Sequence, residues 1–338
     1  MSETGVFGLA PALGRCLREL LGQPEGAWRL VEREALKKQV HRLRFQADGD
    51  ARSFVVKRSR REIAQRNQLV ATRWLPALGL EEHGPALLAL AEDAEIDRLW
   101  HVYADLGRHV LEPETPVPDD VEATVAAIAK LHVWACGHGL LPECRLRGGD
   151  LGMAFYTSSV GDGIAALRAV HPGDLGSERE RAVHHRLLAR LCRLREQTSE
   201  RARAVGALGI ADTLLHGDLW TVNVVLVDAG AGLRARLIDW DHAGVGPISY
   251  DLSTLLLRYR PRHRRWILGR YRRETARLAG WELPSDEELD VLFETAEFTR
   301  LSSMVSGAAR ALGTPDSDWA VDRLAAVDEW FEAYEPVL

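Results

Sequence analysis

An acid two residues after a histidine, an asparagine five residues on, and a pair of acids beyond it form the densest chemistry in the chain. They read His216-Gly217-Asp218-Leu219-Trp220-Thr221-Val222-Asn223 and then Ile238-Asp239-Trp240-Asp241. Asp218 can take the proton of a hydroxyl. Asn223 and Asp239 are hard oxygen donors of the kind Mg²⁺ accepts when it must leave room for phosphates and water. Together these groups meet the two demands of phosphoryl transfer, in-line positioning of the acceptor and neutralisation of phosphate charge. His216 is read as positioning this loop by hydrogen bonding, with a histidine base as the rival assignment.

The elements that must hold these groups can be read from the intervening residues. Residues 224–227 are Val-Val-Leu-Val, residues 228–232 are the turn-rich Asp-Ala-Gly-Ala-Gly, and residues 233–238 resume an apolar alternation. This is the pattern of a β-hairpin. With its turn centred near Ala231, Asn223 lies opposite Asp239 at the open end. Asp241, two residues on, faces the same side if the strand continues; it is then a further or water-mediated ligand, or a structural residue.

Upstream, residues 28–32, 40–45 and 54–57 read as three antiparallel strands, with Asp48-Gly49 as a turn. Alternation puts Val55 and Lys57 on one face. The loop Arg33-Glu34-Ala35-Leu36-Lys37-Lys38 carries no glycine to let its backbone approach a phosphate; Lys37 or Lys38 could supply charge through a side chain instead, or the two are a solvated turn. Residues 61–75 look helical, and Glu62 is the one carboxylate between residues 58 and 80. Residues 99–106 read as another strand. Asp119 is placed to cap a helix carrying Val121, Val125, Ile128, Leu131 and a buried His132. Helical patterns follow at 164–170, 182–194, 252–279, 286–311 and 316–334. Leu9, Leu13, Leu17 and Leu20 recur at helical spacing near the start, which fits an amphipathic helix and not a secretion signal.

Composition narrows the class. A chain of 338 residues with net charge −6 suggests about two domains and carries no nucleic-acid footprint. No apolar run reaches the length of a membrane span. Cys16, Cys136, Cys144 and Cys192 form no CxxC pair, so free thiols in a reducing cytoplasm are expected.

The segments 216–223 and 238–241, together with Gly244-Val245-Gly246-Pro247-Ile248-Ser249-Tyr250-Asp251-Leu252-Ser253, resemble the aminoglycoside phosphotransferase/choline kinase family. The resemblance extends more weakly to Lys57 and to Tyr103-Ala104-Asp105-Leu106-Gly107. It implies an α+β, bilobal protein-kinase-like fold: an antiparallel-sheet lobe over residues 1–102, a hinge at 103–107, and a larger, mainly helical lobe over 108–338. It implies a kinase that uses ATP (or GTP) and Mg²⁺ to phosphorylate a hydroxyl on a small molecule. An antibiotic or other natural product is the leading acceptor, and a choline- or amino-sugar-type metabolite the alternative.

Under that resemblance Asp218 is the catalytic base, and Asn223, Asp239 and Asp241 serve the metal. Val55 covers the adenine and Lys57 reaches the α- and β-phosphates. The acid that orients such a lysine comes later in many members of the family, near where Asn67 stands here; Glu62 is the acid available in its place, or else a first-turn glutamate favoured by the helix dipole. The backbone of Tyr103 to Asp105 meets the base. Asp251 buttresses the catalytic loop, or else simply caps the helix that starts at Leu252. Trp220 walls the acceptor site or anchors the loop, and Glu294 and Glu297, three apart on one helix, could hold a cationic acceptor. A nucleotide-binding scaffold without activity is a rival, opposed by the intact Asp218, Asn223 and Asp239 set. A protein kinase is another, opposed by the short interval between Asp239 and Gly244, which leaves no activation segment. Oligomeric state is not legible.

Overall fold

Parity along the strands sorts the first part of the chain onto two faces, and that sorting positions the site. In the computed structural model, residues 6–22, 28–93, 97–207, 211–230, 232–314 and 318–338 are described. The turn expected at Ala231 and the first two residues of the helix expected from 316 lie outside the described residues. The elements in chain order are α1 (Pro11–Leu21), β1 (Arg29–Lys37), β2 (Val40–Ala47), β3 (Asp50–Arg60), α2 (Arg61–Leu69), α3 (Leu75–Ala77), β4 (Leu87–Glu92), β5 (Arg98–Ala104), α4 (Pro118–Ala135), α5 (Leu141–Gly148), α6 (Met153–Ala169), α7 (Glu178–Glu196) and α8 (Thr198–Ala207). They continue with β6 (Thr213–Leu215), β7 (Val224–Asp228), β8 (Leu233–Leu237), β9 (Gly244–Gly246), α9 (Ser249–Leu256), α10 (Pro261–Ala279), α11 (Asp286–Ala311) and α12 (Asp318–Glu332). Two compact units result, residues 1–131 with 220–243 and residues 132–219 with 244–338. This grouping places α4 up to Leu131, and the β7–β8 hairpin, with the sheet.

The first unit is built on an antiparallel sheet in the order β1-β2-β3-β5-β4. Leu43 and Phe45 of β2, Phe54 and Val56 of β3 and Val102 of β5 form one apolar face with Leu13, Leu17 and Leu21 of α1. The i, i+4 spacing of these three leucines makes Leu21, not the expected Leu20, the last fully buried contact. The opposite parity puts Val40, Arg42, Val55, Lys57, His101 and Tyr103 on the other face. The register confirms it, with Val55 across from Arg42 and Tyr103, and Lys57 across from Val40 and His101.

The strands are longer than the sequence suggests. β1 runs to Lys37, so residues 33–37 are strand and the connection shrinks to Lys38-Gln39. The Asp48-Gly49 turn forms as expected, both residues having positive φ, so that Ala47 pairs with Asp50. β4 has no counterpart in the sequence reading, because its Leu-Leu-Ala-Leu-Ala-Glu is made of helix formers. The helix expected over 61–75 exists, but it passes from α2 into α3 through a π turn at Val70–Trp74. Asp119 lies inside the first turn of α4, since Pro118 already starts that helix.

The second unit is mainly helical. α6 and α11 pack side by side at its centre, flanked by α7 and α12, around Tyr156, Val160, Ile164, Leu187, Leu191 and Val305. A Cβ on Gly163 would sit 3.2 Å from the Ser302 carbonyl oxygen, so that glycine sets how near α6 comes to α11. The helix expected over 252–279 is two, α9 and α10, broken before Pro261. α11 begins with a reciprocal Ser285/Glu288 capping box. Among the described residues no helix is long and apolar enough to cross a membrane.

β6 and β9 pair with Leu214 opposite Val245, and β9 runs hard against the backbone of 149–152. A Cβ on Gly246 would lie 2.9 Å from the Leu151 carbonyl carbon. Gly246→Ala is therefore expected to destabilise the protein by about 1–3 kcal/mol through overpacking against backbone that has little room to yield. Urea denaturation of the two proteins checks it, an unchanged midpoint being the contrary result.

Candidate active site

Lys57 is the centre of charge in the first unit. Its ammonium donates to Asp239 Oδ1 and to Asp241 Oδ1, and its side chain is largely buried. Lys37, at the end of β1, donates to the other oxygen of Asp239 at 2.8 Å. Burial by itself would lower the Lys57 pKa, but Asp239 and Asp241 outweigh it and hold the ammonium above its ordinary value. Burial would likewise raise the Asp239 carboxyl, and Lys57 followed by Lys37 instead holds it well below the usual carboxylate range. His101, one strand over, is neutral: burial, then the Lys57 charge, pushes its pKa down to about 4, and Nε2 lies 3.0 Å from the Ala64 carbonyl oxygen.

The two acids reach Lys57 by a turn and not by strand alternation. β8 stops at Leu237, Asp239 adopts a left-handed conformation (φ 68°), and Trp240–His242 form a 3₁₀ turn. Asp tolerates that conformation better than most residues. The hairpin register differs from expectation by one: Val224 pairs with Leu237, and the Ile238 amide donates to the Asn223 carbonyl at 2.9 Å, so Asn223 faces Ile238 and not Asp239. Asn223 itself is buried in a 3₁₀ turn at Thr221–Asn223.

Glu62 does not orient Lys57. Its side chain is 86% exposed and its ion-pair partner is Arg66 at 3.8 Å. Five residues along a helix at 3.6 per turn amount to about 140° of rotation, so the helix turns Glu62 outward as it turns Asn67 inward. Asn67 is buried and donates from Nδ2 to Asp241 Oδ1 at 2.7 Å. The sequence marked Asn67 as the position near which the resembled family carries its acid, and the structure turns that position inward.

A cavity of about 340 Å³ opens beside this cluster. Val55 and Tyr103 on the sheet and Val225 and Ile238 on the hairpin line its apolar part, while Lys37, Lys57 and Asp239 line its charged end. The segment 104–108 borders it as well. The Asp105 carboxylate accepts from Ser53 Oγ (2.6 Å), Arg42 Nε (2.8 Å) and the Gly107 amide (3.0 Å). Arg42, overlooked in the sequence, is buried and also donates to Glu34 at 3.0 Å and to the Gly107 carbonyl at 2.6 Å. Its parity with Val40 and its position across from Val55 were the readable clue.

Asp218 belongs to the second unit, where a buried carboxylate shapes its loop. Asp251, fully buried at the start of α9, accepts from the His216 amide at 2.7 Å and from the Gly217 amide at 2.9 Å. Gly217 has φ 80°, a conformation that favours glycine and swings the chain back past Asp251. The Asp218 amide donates to His216 Nδ1 at 3.3 Å, which ties the histidine to loop geometry. His132 is buried between Tyr271 Oη (2.8 Å) and Asp251 (3.4 Å). Burial would raise the Asp251 carboxyl, but the His132 hydrogen bond, electrostatic interaction with His132 and His216 and the Gly217 amide hold it below its ordinary value.

The acids expected to grip a cationic acceptor are already neutralised. Glu294 pairs with Arg201 at 2.6 Å, and Glu297, buried, pairs with Arg300. Arg300 also binds Ser253 Oγ at 3.0 Å and the Tyr250 carbonyl, fastening α11 to α9. Trp220, more than a third exposed, lies in the first unit.

Among the described residues no group of three or more His, Cys, Asp and Glu side chains could hold a metal ion. The donor chemistry nevertheless fits Mg²⁺, which is bound by one or two carboxylates with substrate phosphates and water and not by an all-protein cage. Asp239 and Asn223 supply such oxygens.

The sequence profile described as "Phosphotransferase enzyme family" matches residues 32–289. No curated protein matches the sequence. Solved structures do. A spectinomycin phosphotransferase, APH(9)-Ia, in complex with ADP and spectinomycin, is 12% identical over 96% of both chains with a TM-score of 0.59. An ethanolamine kinase of Plasmodium vivax is 11% identical, covering 92% of this chain and 85% of its own, with a TM-score of 0.56. The aminoglycoside phosphotransferase APH(4)-Ia is 15% identical, covering 93% and 98%, with a TM-score of 0.51. At these identities the likeness is one of fold, the protein-kinase-like α+β fold expected from the sequence.

Replacing Asp251 by alanine strips the acceptor from two buried amides, at about 1–3 kcal/mol for each. The lowered Asp251 pKa sets the pH dependence: its contribution is full above the unfolded value of about 3.9 and is lost as pH falls through the lower folded value. Urea melts of wild type and Asp251→Ala from neutrality downward should show a constant stability gap to about pH 4 and a narrowing gap below it. A gap that widens on acidification would contradict this.

Proposed function

Since the chain belongs to the phosphotransferase enzyme family and is a small-molecule kinase, we propose that it transfers the γ-phosphoryl group of ATP to a hydroxyl of an antibiotic or another natural product, with Mg²⁺. The observation that carries this reading is the placement of Lys57 and Asp239 at the charged end of an otherwise apolar cavity bordered by residues 104–108. The adenine lies between Val55 and the Val225–Ile238 side, against the backbone of Tyr103 to Asp105. Lys57 holds the α- and β-phosphates and Lys37 adds charge where a glycine-rich loop would offer amides. Asp239 and Asn223 are the residues that would hold Mg²⁺, which would supply neutralisation of phosphate charge.

Asp218 accepts a hydrogen bond from the acceptor hydroxyl and aims its oxygen at the γ-phosphorus. The Asp251 bonds to the amides of His216 and Gly217 hold the backbone of the loop that carries Asp218, which supports this positioning role. His216, tied to the Asp218 amide, is a positioning residue. Glu294 and Glu297 are paired with arginines, so a cationic acceptor would have to compete with Arg201 and Arg300 for them. Free thiols at Cys16, Cys136, Cys144 and Cys192 support a reducing, cytoplasmic setting.

The test is mass spectrometry on pooled aminoglycosides, macrolides, nucleosides, sugars and choline analogues incubated with enzyme, Mg²⁺ and ATP or GTP. A product heavier by one phosphoryl group is expected with wild type. Asp218→Ala should lower kcat on that acceptor by roughly 10²–10⁴-fold with little change in the KM for ATP. Chelating the metal should stop turnover and chelator removal with added Mg²⁺ should restore it. Wild-type turnover in Asp218→Ala, or turnover undiminished by chelation, would sink the mechanism.

A further inference from the structure

The lysine of this site needs an acid to hold it, and the helix beside it offers none. Glu62 is the one carboxylate of α2 and faces solvent, whereas the inward position of that helix is Asn67, a neutral amide. The carboxylate that meets both Lys57 and Asn67 belongs to the other side of the cluster. Asp241 Oδ1 accepts from Lys57 Nζ and, at 2.7 Å, from Asn67 Nδ2. Asn67 is itself fixed, donating also to the Ile63 carbonyl of its own helix at 2.9 Å. Arg66, one residue earlier, donates to the Asp241 backbone carbonyl. Two successive residues of α2 thus grip Asp241, one by its side chain and one by its backbone.

We infer that Asp241 is the positioning residue that holds Lys57 toward the nucleotide phosphates, with Asn67 as its anchor, and that it is not a metal ligand. This rests on the reading of Lys57 as a phosphate-binding residue. The acid and the amide have exchanged sides: the charge that a helix would bring to the lysine comes from the turn after Asp239, and the helix contributes the hydrogen-bond donor. Asp239 and Asp241 differ in what else they touch. Asp239 Oδ2 accepts from Lys37 at 2.8 Å, an exposed side chain that a cation can replace. Asp241 Oδ1 is committed to Lys57 and to a buried amide. When Asp239 turns to a metal, Asp241 remains as the counter-charge of Lys57.

The experiment is calorimetric titration of ATP into the full-length protein, once with Mg²⁺ and once in chelator, for wild type and four sets of variants. Lys57→Ala tests the underlying reading: affinity equal to wild type in both conditions overturns it, and the inference with it. Given a loss there, Asp241→Asn should weaken ATP binding by about tenfold in both conditions, since the lysine contact needs no metal. A loss confined to the Mg²⁺ arm identifies Asp241 as a metal ligand, and no loss in either arm removes its role; both overturn the inference. The exchange Asn67→Asp/Asp241→Asn is isosteric and returns the carboxylate to the helix. Asn67→Glu/Asp241→Asn does the same with a longer reach. Recovery to within about threefold of wild type by either double variant is the expected result. Recovery by neither, with thermal melts showing both folded, overturns the inference, because a merely structural Asp241 would not be replaced by a charge on another element.

Discussion

One ammonium group shared between two carboxylates organises the first unit. Lys57 sits on the face of β3 that alternation turns away from the α1 core, and from there it meets Asp239 and Asp241. A buried lysine without such partners would lose its charge, since desolvation penalises the ionised form by several kcal/mol. With them the charge is retained, and Lys57 in turn holds the Asp239 carboxyl ionised. The left-handed residue at Asp239 and the short turn after it are what bring two acids of one segment to one nitrogen. The sheet, α2 and the hairpin each supply one side of the cluster, so none can shift without breaking a contact that costs a desolvated charge.

The second unit solves a different problem with the same economy of means. There a single buried carboxylate, Asp251, faces two backbone amides and His132. The loop it shapes carries Asp218, which needs no unusual environment of its own. What the loop needs is direction, and direction is set by Gly217 in a conformation that L side chains rarely adopt and by the acceptor oxygens of Asp251. The burial of α9 on every face reflects this: its task is to hold a charge still.

Charge pairing also engages the two acids that could hold a cationic acceptor. Acids three apart on a helix suggest a surface that binds cations. Here Glu294 and Glu297 are paired with arginines, and Arg300 and Arg201 also stack on Tyr250 and Phe298. Sequence shows the acids clearly and the arginines only as part of a helical pattern, because the pairing of Glu294 with Arg201 crosses from α11 to α8.

Local chemistry was legible wherever neighbours in sequence are neighbours in space. The Asp48-Gly49 turn, the hairpin after Asn223, the two faces of β3, the amphipathic α1 and the helical character of the second unit all follow from periods of 2 and 3.6 and from turn residues. So did the family, since its chemistry is concentrated in segments 216–223 and 238–253. What the chain alone left undecided were matters of long-range pairing. A hairpin register off by one moved Asn223 from Asp239 to Ile238. The leucine- and alanine-rich β4 became a strand because β5 had an edge to pair. The rotation of α2 chose Asn67 over Glu62 to face the site, and a turn brought Asp241 to Lys57 where an alternating strand had been expected. In each case residue type was readable in the sequence, but the partner was chosen by how separate elements pack, and a desolvated charge or an open strand edge takes whichever partner that packing presents.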